Sequence, residues 1–130
     1  MIVADASAVF QLLDGDSDAA KLAARLFGRE EPVCAPYLID AEIAHVLRKN
    51  VLAKRLEAAR TEAALQEFLD LTLVRFPHGF WLSRAFALRH TMTAYDALYV
   101  ALAESLDATL VTSDGRLARA AEGIVAVEVF

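Results

Sequence analysis

Four acidic residues occupy positions that core building alone does not explain. Asp5 directly follows the apolar run Ile2-Val3-Ala4, and Asp114 follows Leu110-Val111-Thr112-Ser113 and precedes Gly115. Both stand at the ends of strand-like segments, and in an open parallel sheet the carboxyl ends of the strands border the crevice where ligands bind. Asp96 lies in a helical segment that is apolar nearly all round, with Tyr99, Val100 and Ala103 as its neighbours and Leu98, Leu102 and Leu106 as the opposite stripe. A carboxylate there is costly unless a cation or several donors meet it. Glu42 borders an apolar helical stripe, between Ile39 and Val46. Three of them also have an ordinary structural reading. Asp5 can cap a helix that begins near Ser7, Asp96 can complete a capping box with Thr93, and Asp114 suits a turn. Asp40, two positions before Glu42, reads as a solvated neighbour.

Two acids at strand ends and two on core-proximal helix faces can converge in one crevice of a parallel α/β fold. Clustered carboxylates repel until a hard divalent cation joins them, and an all-oxygen donor set suits Mg²⁺ or Mn²⁺ better than zinc. The chemistry such a centre performs is activation of water and stabilisation of charge on a phosphoryl group. Other chemistries find less support. No phosphate-cradling glycine loop is present, which removes the basis for nucleoside triphosphate hydrolysis. His45, His78 and His90 share no ligand spacing, and no serine or cysteine nucleophile can be paired with a histidine base. A receiver-like phosphoacceptor needs a paired acid at its first strand and a late lysine, and a haloacid-dehalogenase-like phosphatase needs a second Asp at position 7, which is Ser7.

The elements that must position these acids follow from periodicity. Strands are expected over 1–4, 33–35, 71–76, 108–112 and 124–129, and helices over 7–13, 17–28, 37–52, 57–69, 80–90, 94–106 and 116–121. Alternation of this kind implies an α/β domain with a mostly parallel sheet covered by helices on both faces. At 130 residues, with no linker or repeat, the chain reads as one domain, 1–130. Its net charge of −5, from 18 acids and 13 bases, argues against a protein that coats nucleic acid, yet allows a nuclease that collects carboxylates around a cation. Cys34 is the only cysteine, so neither an internal disulfide nor a cysteine zinc cluster forms, and a reducing compartment suits it. No apolar run reaches the roughly 18 residues a membrane span needs. A strand beginning beside Met1 leaves no room for a secretion signal, so a cytoplasmic location is expected. The apolar faces over 22–27 and 43–52 exceed what one small sheet can cover, which predicts a homodimer.

Four segments taken in order, Ile2-Val3-Ala4-Asp5-Ala6-Ser7-Ala8, Leu38-Ile39-Asp40-Ala41-Glu42-Ile43, Thr93-Ala94-Tyr95-Asp96-Ala97-Leu98-Tyr99-Val100 and Leu110-Val111-Thr112-Ser113-Asp114-Gly115-Arg116-Leu117, resemble the PIN-domain ribonuclease family, particularly VapC-like toxins. The resemblance spans the chain, although 15–32 and 55–77 carry no family signature. It implies a PIN-like three-layer α/β/α fold and an Mg²⁺- or Mn²⁺-dependent endoribonuclease. Asp5, Glu42, Asp96 and Asp114 become the implied catalytic acids, with Asp5, Asp96 and Asp114 holding metal. Thr112, Ser7 and Ser113 become the implied polar residues that assist metal and phosphate. The implied partners are RNA as substrate and a small cognate antitoxin. A non-catalytic PIN-like module that binds RNA or protein is the alternative, and the presence of all four acids speaks against it.

Overall fold

Ile2-Val3-Ala4 is short, apolar throughout and buried at every position, as the central strand of a sheet covered on both faces must be. In the computed structural model, which describes residues 1–130, this strand (β1, Ile2–Ala4) is the middle of five. The others are β2 (Val33–Pro36), β3 (Val74–Phe76), β4 (Thr109–Thr112) and β5 (Val127–Val129), in the order β3-β2-β1-β4-β5. Every pairing is parallel, so the expected mostly parallel sheet is wholly so.

Seven helices connect the strands: α1 (Ala6–Asp14), α2 (Ala19–Phe27), α3 (Leu38–Leu52), α4 (Ala58–Asp70), α5 (Leu82–Ala87), α6 (Ala94–Leu106) and α7 (Gly115–Ala121). Helices α1 to α4 pack on one another, with α1 meeting β4 and α3 meeting β2, while α6 carries α5 and lies along β1, β2 and β4. The result is a three-layer α/β/α arrangement. From β1 the chain steps outward through β2 to β3, then returns past β1 to β4 and continues to β5. Strand order therefore reverses between β1 and β4, and a crevice opens at their carboxyl ends.

Local chemistry sets the helix ends. Gly15 closes α1 in the left-handed region at φ 74°, where its missing Cβ removes the steric penalty. Gly28 closes α2 for another reason, since a Cβ there would stand 2.3 Å from the Ala24 carbonyl oxygen. Three expected elements are shorter than periodicity implies. Leu73 N–H donates to the Leu71 carbonyl in a turn, so β3 begins only where Val74 pairs with Cys34. Ile124 and Val125 N–H groups both return to Ala121, which delays β5 to Val127. The helix expected over 80–90 is a single 3₁₀ turn, Gly79–Trp81, followed by α5, and Thr91 and Met92 N–H groups fold back on Leu88.

The apolar faces on which the dimer expectation rested are covered within the chain. Leu22, Leu26, Ile43 and Leu47 are all core residues, because α1 to α4 close over one another, and only Phe27 and Leu52 at their ends remain exposed. Large exposed apolar side chains gather instead at Phe80, Leu82 and Phe86. Cys34 is a buried free thiol, and no helix is long and apolar enough to cross a membrane.

Candidate active site

Asp5 is the N-cap of α1, and the cap geometry is what holds its carboxylate at the crevice. Its Oδ1 accepts hydrogen bonds from the Ala8 N–H at 2.9 Å and the Ser7 hydroxyl at 2.7 Å, while Oδ2 accepts from the Thr112 hydroxyl at 2.6 Å. A carboxylate offers about four acceptor sites, so three donors leave one free. The network continues across the switch point. Thr112 Oγ1 accepts from the Asp114 N–H at 3.0 Å, and Ser7 Oγ accepts from the Ser113 N–H at 2.9 Å. The end of β4 is thereby tied to the first turn of α1. Asp114 in turn caps α7, its Oδ1 accepting from the N–H groups of Arg116 and Leu117 at 2.8 and 3.3 Å.

The two helix-borne acids come from the other side of the crevice. Of the two hydrogen bonds of a capping box, α6 has the one from Asp96 N–H to Thr93 Oγ1, at 3.2 Å. The Asp96 side chain is half-buried and lines a cleft of about 700 Å³ together with Glu42, Ser7, Phe10, His45 and Lys49. Glu42 reaches the cleft because α3 starts where it does. No side chain of Tyr37 caps that helix, and His78 Nε2 instead accepts from the Leu38 N–H at 2.9 Å across the sheet edge. His78 thereby ties the start of α3, the helix that carries Glu42, to the segment after β3. Asp40 is solvated, as expected, and pairs with Arg75 at 2.8 Å.

Over residues 2–123 the chain matches the PIN-domain family model. It belongs to the PIN-domain family. Ribonuclease VapC1 of Mycobacterium tuberculosis is 43% identical over 119 residues, covering 91% of this chain and 89% of that protein. A VapC ribonuclease of Mycobacterium bovis is 43% identical over 117 residues, covering 90% and 88%. Among solved structures, a Pyrobaculum aerophilum protein is similar at TM-score 0.73 and 25% identity, covering 97% of this chain and 89% of its own. The VapBC2 complex of Rickettsia felis contains a chain with the same fold at TM-score 0.71 and 17% identity, with 99% and 98% covered.

In this PIN domain the four acids form one electrostatic chain. Asp5 feels Asp96, Glu42 feels Asp5 and Asp96, and Asp96 feels Asp114. Burial first, and then these like charges, raise the proton affinity of Asp5, Glu42 and Asp96. Arg116, opposite Asp96, opposes the rise and is a cation at the site that sequence reading quoted only inside a motif. Thr112 has no exposed surface, and its hydroxyl donates to Asp5. The Ser113 hydroxyl donates to Gln11 Oε1, and only its backbone N–H joins the Asp5 network.

Whether these residues suit a divalent ion is answered by their donors. All are carboxylate oxygens, and Asp5 keeps a free acceptor site. No three of the side chains are arranged to hold an ion as a closed cage. An ion that keeps several waters and takes one or two carboxylates directly, as Mg²⁺ does, is the kind such donors would hold.

Glu42 yields a pH prediction. Its proton affinity rises from 4.5 to about 7, first through burial and then through Asp5 and Asp96. Because the folded value lies above the unfolded one, the unfolded chain sheds its proton first, and stability falls as pH rises from about 4.5 through 7. At about 1.4 kcal/mol per unit, discounted for a group that is not fully buried, the loss is on the order of 1–3 kcal/mol. Asp5 and Asp96 shift in the same direction and add to it. In EDTA, wild type should lose several degrees of melting temperature over that range, and Glu42→Gln should lose fewer. Parallel pH profiles for the two proteins would contradict the assignment.

Proposed function

We propose that the chain, residues 1–130, works as one Mg²⁺- or Mn²⁺-dependent endoribonuclease domain, the toxin of a toxin–antitoxin pair. The observation that carries this reading is the gathering of Asp5, Glu42, Asp96 and Asp114, from four separate segments, at the switch point of a PIN-domain sheet. The 43% identity to a protein named a VapC ribonuclease, across nine-tenths of the chain, supports the same substrate class.

In this reading Asp5, Asp96 and Asp114 hold the cation, partly through water, and when bound it acidifies a water and offsets charge on the phosphoryl oxygens. The chain's own groups do the rest. Ser7 and Thr112 keep the Asp5 carboxylate from rotating. Glu42, with a proton affinity near neutrality, is the group suited to take the proton that the attacking water loses. His45 and Lys49 follow Glu42 along α3 and line the cleft beside apolar Phe10, Leu38 and Val46. A phosphate can meet the lysine while a base rests on the apolar wall.

Because water, rather than the ribose 2′-hydroxyl, attacks, the products should carry 5′-phosphate and 3′-hydroxyl ends. Incubating purified protein with RNA in EDTA, Mg²⁺ or Mn²⁺ and mapping the ends tests this directly. Cleavage that persists in EDTA, or 2′,3′-cyclic phosphate ends, would remove the scheme.

The partner proposed is a small antitoxin whose basic tail enters the acidic crevice, favoured by the net charge of −5 and weakened by salt. Action in the cytoplasm follows from an RNA substrate and agrees with the free Cys34 thiol. A homodimer belongs to the proposal through the exposed Phe80, Leu82 and Phe86 rather than through α2 and α3. Light scattering that finds a monomer at micromolar concentration would remove that part.

A further inference from the structure

Tyr99 stands one helical turn after Asp96 on α6, is 1% exposed, and its hydroxyl completes no hydrogen bond. Packing does not account for the oxygen. The segment Ala97–Ala103 is buried at every position, and a phenylalanine would fill the same volume without burying a polar atom. Most buried tyrosine hydroxyls find a partner, so an unmatched one asks what it faces. The charges that bear on it are Glu42 first, then Asp5 and Asp96. Glu42 Oε1, arriving from α3, is the matching case: a buried acceptor with no partner. The Tyr99 hydroxyl is the side-chain donor beside that carboxylate.

We infer that Tyr99 is a positioning residue for Glu42, its hydroxyl donating to Oε1 and leaving Oε2 as the oxygen turned to the cleft. The inference rests on the ribonuclease reading for what Glu42 then does. Donor and acceptor come from helices far apart in the chain, so the contact also fixes α3 against α6 at the level of the acids. Burial and the three carboxylates hold the phenol far above its ordinary proton affinity, so it stays a donor at every working pH. A carboxylate pinned through one oxygen keeps the direction of the other, which is how outer partners tune an acidic centre.

Tyr99→Phe removes the hydroxyl and keeps the ring. In EDTA it should melt no more than a few degrees below wild type, because one hydrogen bond is lost while the ring's packing is kept. Its kcat for RNA cleavage should fall about tenfold or more with KM unchanged, and the pH range over which its melting temperature falls in EDTA should move upward, because the lost donor favoured the ionised Glu42. The pH effect should vanish when the substitution is made in Glu42→Ala protein, where the acceptor is gone. Wild-type kcat or an unmoved pH profile in Tyr99→Phe, a pH effect that persists in the Glu42→Ala background, or a melting temperature lowered by many degrees would each overturn the inference. Asp5→Asn, measured in parallel, separates the two failures. If Asp5→Asn abolishes cleavage while Tyr99→Phe behaves as wild type, only the role of Tyr99 falls; if Asp5→Asn cleaves normally, the ribonuclease reading falls with it.

Discussion

Asp5→Asn is expected to lower RNA cleavage by at least about a hundredfold and to relieve growth inhibition on expression, while the protein melts no lower than wild type. The size follows from deleting a charge at the point where a cation and a developing phosphoryl charge must be stabilised. Retention of the fold follows from the network. Asparagine keeps Oδ1, which still accepts from Ala8 N–H and Ser7 Oγ. Its Nδ2 replaces Oδ2 and donates, so the Thr112 hydroxyl must turn. Thr112 Oγ1 can accept from Nδ2 as well as from Asp114 N–H, and send its own proton to Ser7 Oγ, 3.2 Å away. Ser7 accepts that proton and the Ser113 N–H, so only the second Nδ2 proton, which takes the place of the carboxylate's free acceptor site, has no partner within the network. Burial raises the proton affinity of Asp5, which means the ionised form is penalised in the fold at neutral pH, and the amide removes that penalty. Asparagine also caps helices as well as aspartate does. If Asp5 served only to cap α1, cleavage and growth inhibition would therefore be unchanged, and a folded Asn variant as toxic as wild type would end the nuclease assignment.

Metal-induced stabilisation should be large in wild type and mostly absent in Asp96→Asn. An ion at about 100 times its dissociation constant adds about 2.7 kcal/mol by linkage, several degrees of melting temperature for a domain of this size. Asp96 feels both Asp114 and desolvation, so its charge strains the fold until a cation meets it. Replacement by asparagine relieves that strain and keeps the backbone N–H that Thr93 Oγ1 accepts. In EDTA the variant should melt no lower than wild type. In Mn²⁺ it should lose most of the shift, and cleavage with it. A capping acid would behave in the opposite way, losing roughly 0.5–2 kcal/mol without metal and keeping both the Mn²⁺ response and activity. Four melts and one cleavage assay separate the two outcomes.

The capping and site readings of Asp5 and Asp114, which compete when each residue is read alone, turn out to be one arrangement. A cap fixes a carboxylate at the start of a helix, and in a parallel sheet the helix after a strand starts at the ligand-binding edge. Asp96 differs: its helix is capped by Thr93, and its carboxylate faces the cleft. Thr112 also lay within reach of the motif, but its burial and its hydrogen bond to Asp5 are visible only in the fold.

What the chain's residue order determines by itself is local. Apolar runs ended by Asp5 and Asp114 identify two strand ends, the buried run around Asp96 identifies a core helix, and the alternation of periods identifies an α/β fold, because these patterns repeat over a few residues and report which side of an element is buried. Element ends are less legible, since Leu73 and Ile124 stop looking like strand only when their N–H groups close turns with Leu71 and Ala121. The tertiary structure alone decides the rest. Strand order brings residues 5 and 112 within 2.6 Å, places Tyr99 beside Glu42 from another helix, and closes α1 to α4 over the apolar faces that had suggested a dimer. Those outcomes depend on register and crossover between segments up to 107 positions apart, and no short-range periodicity carries that information.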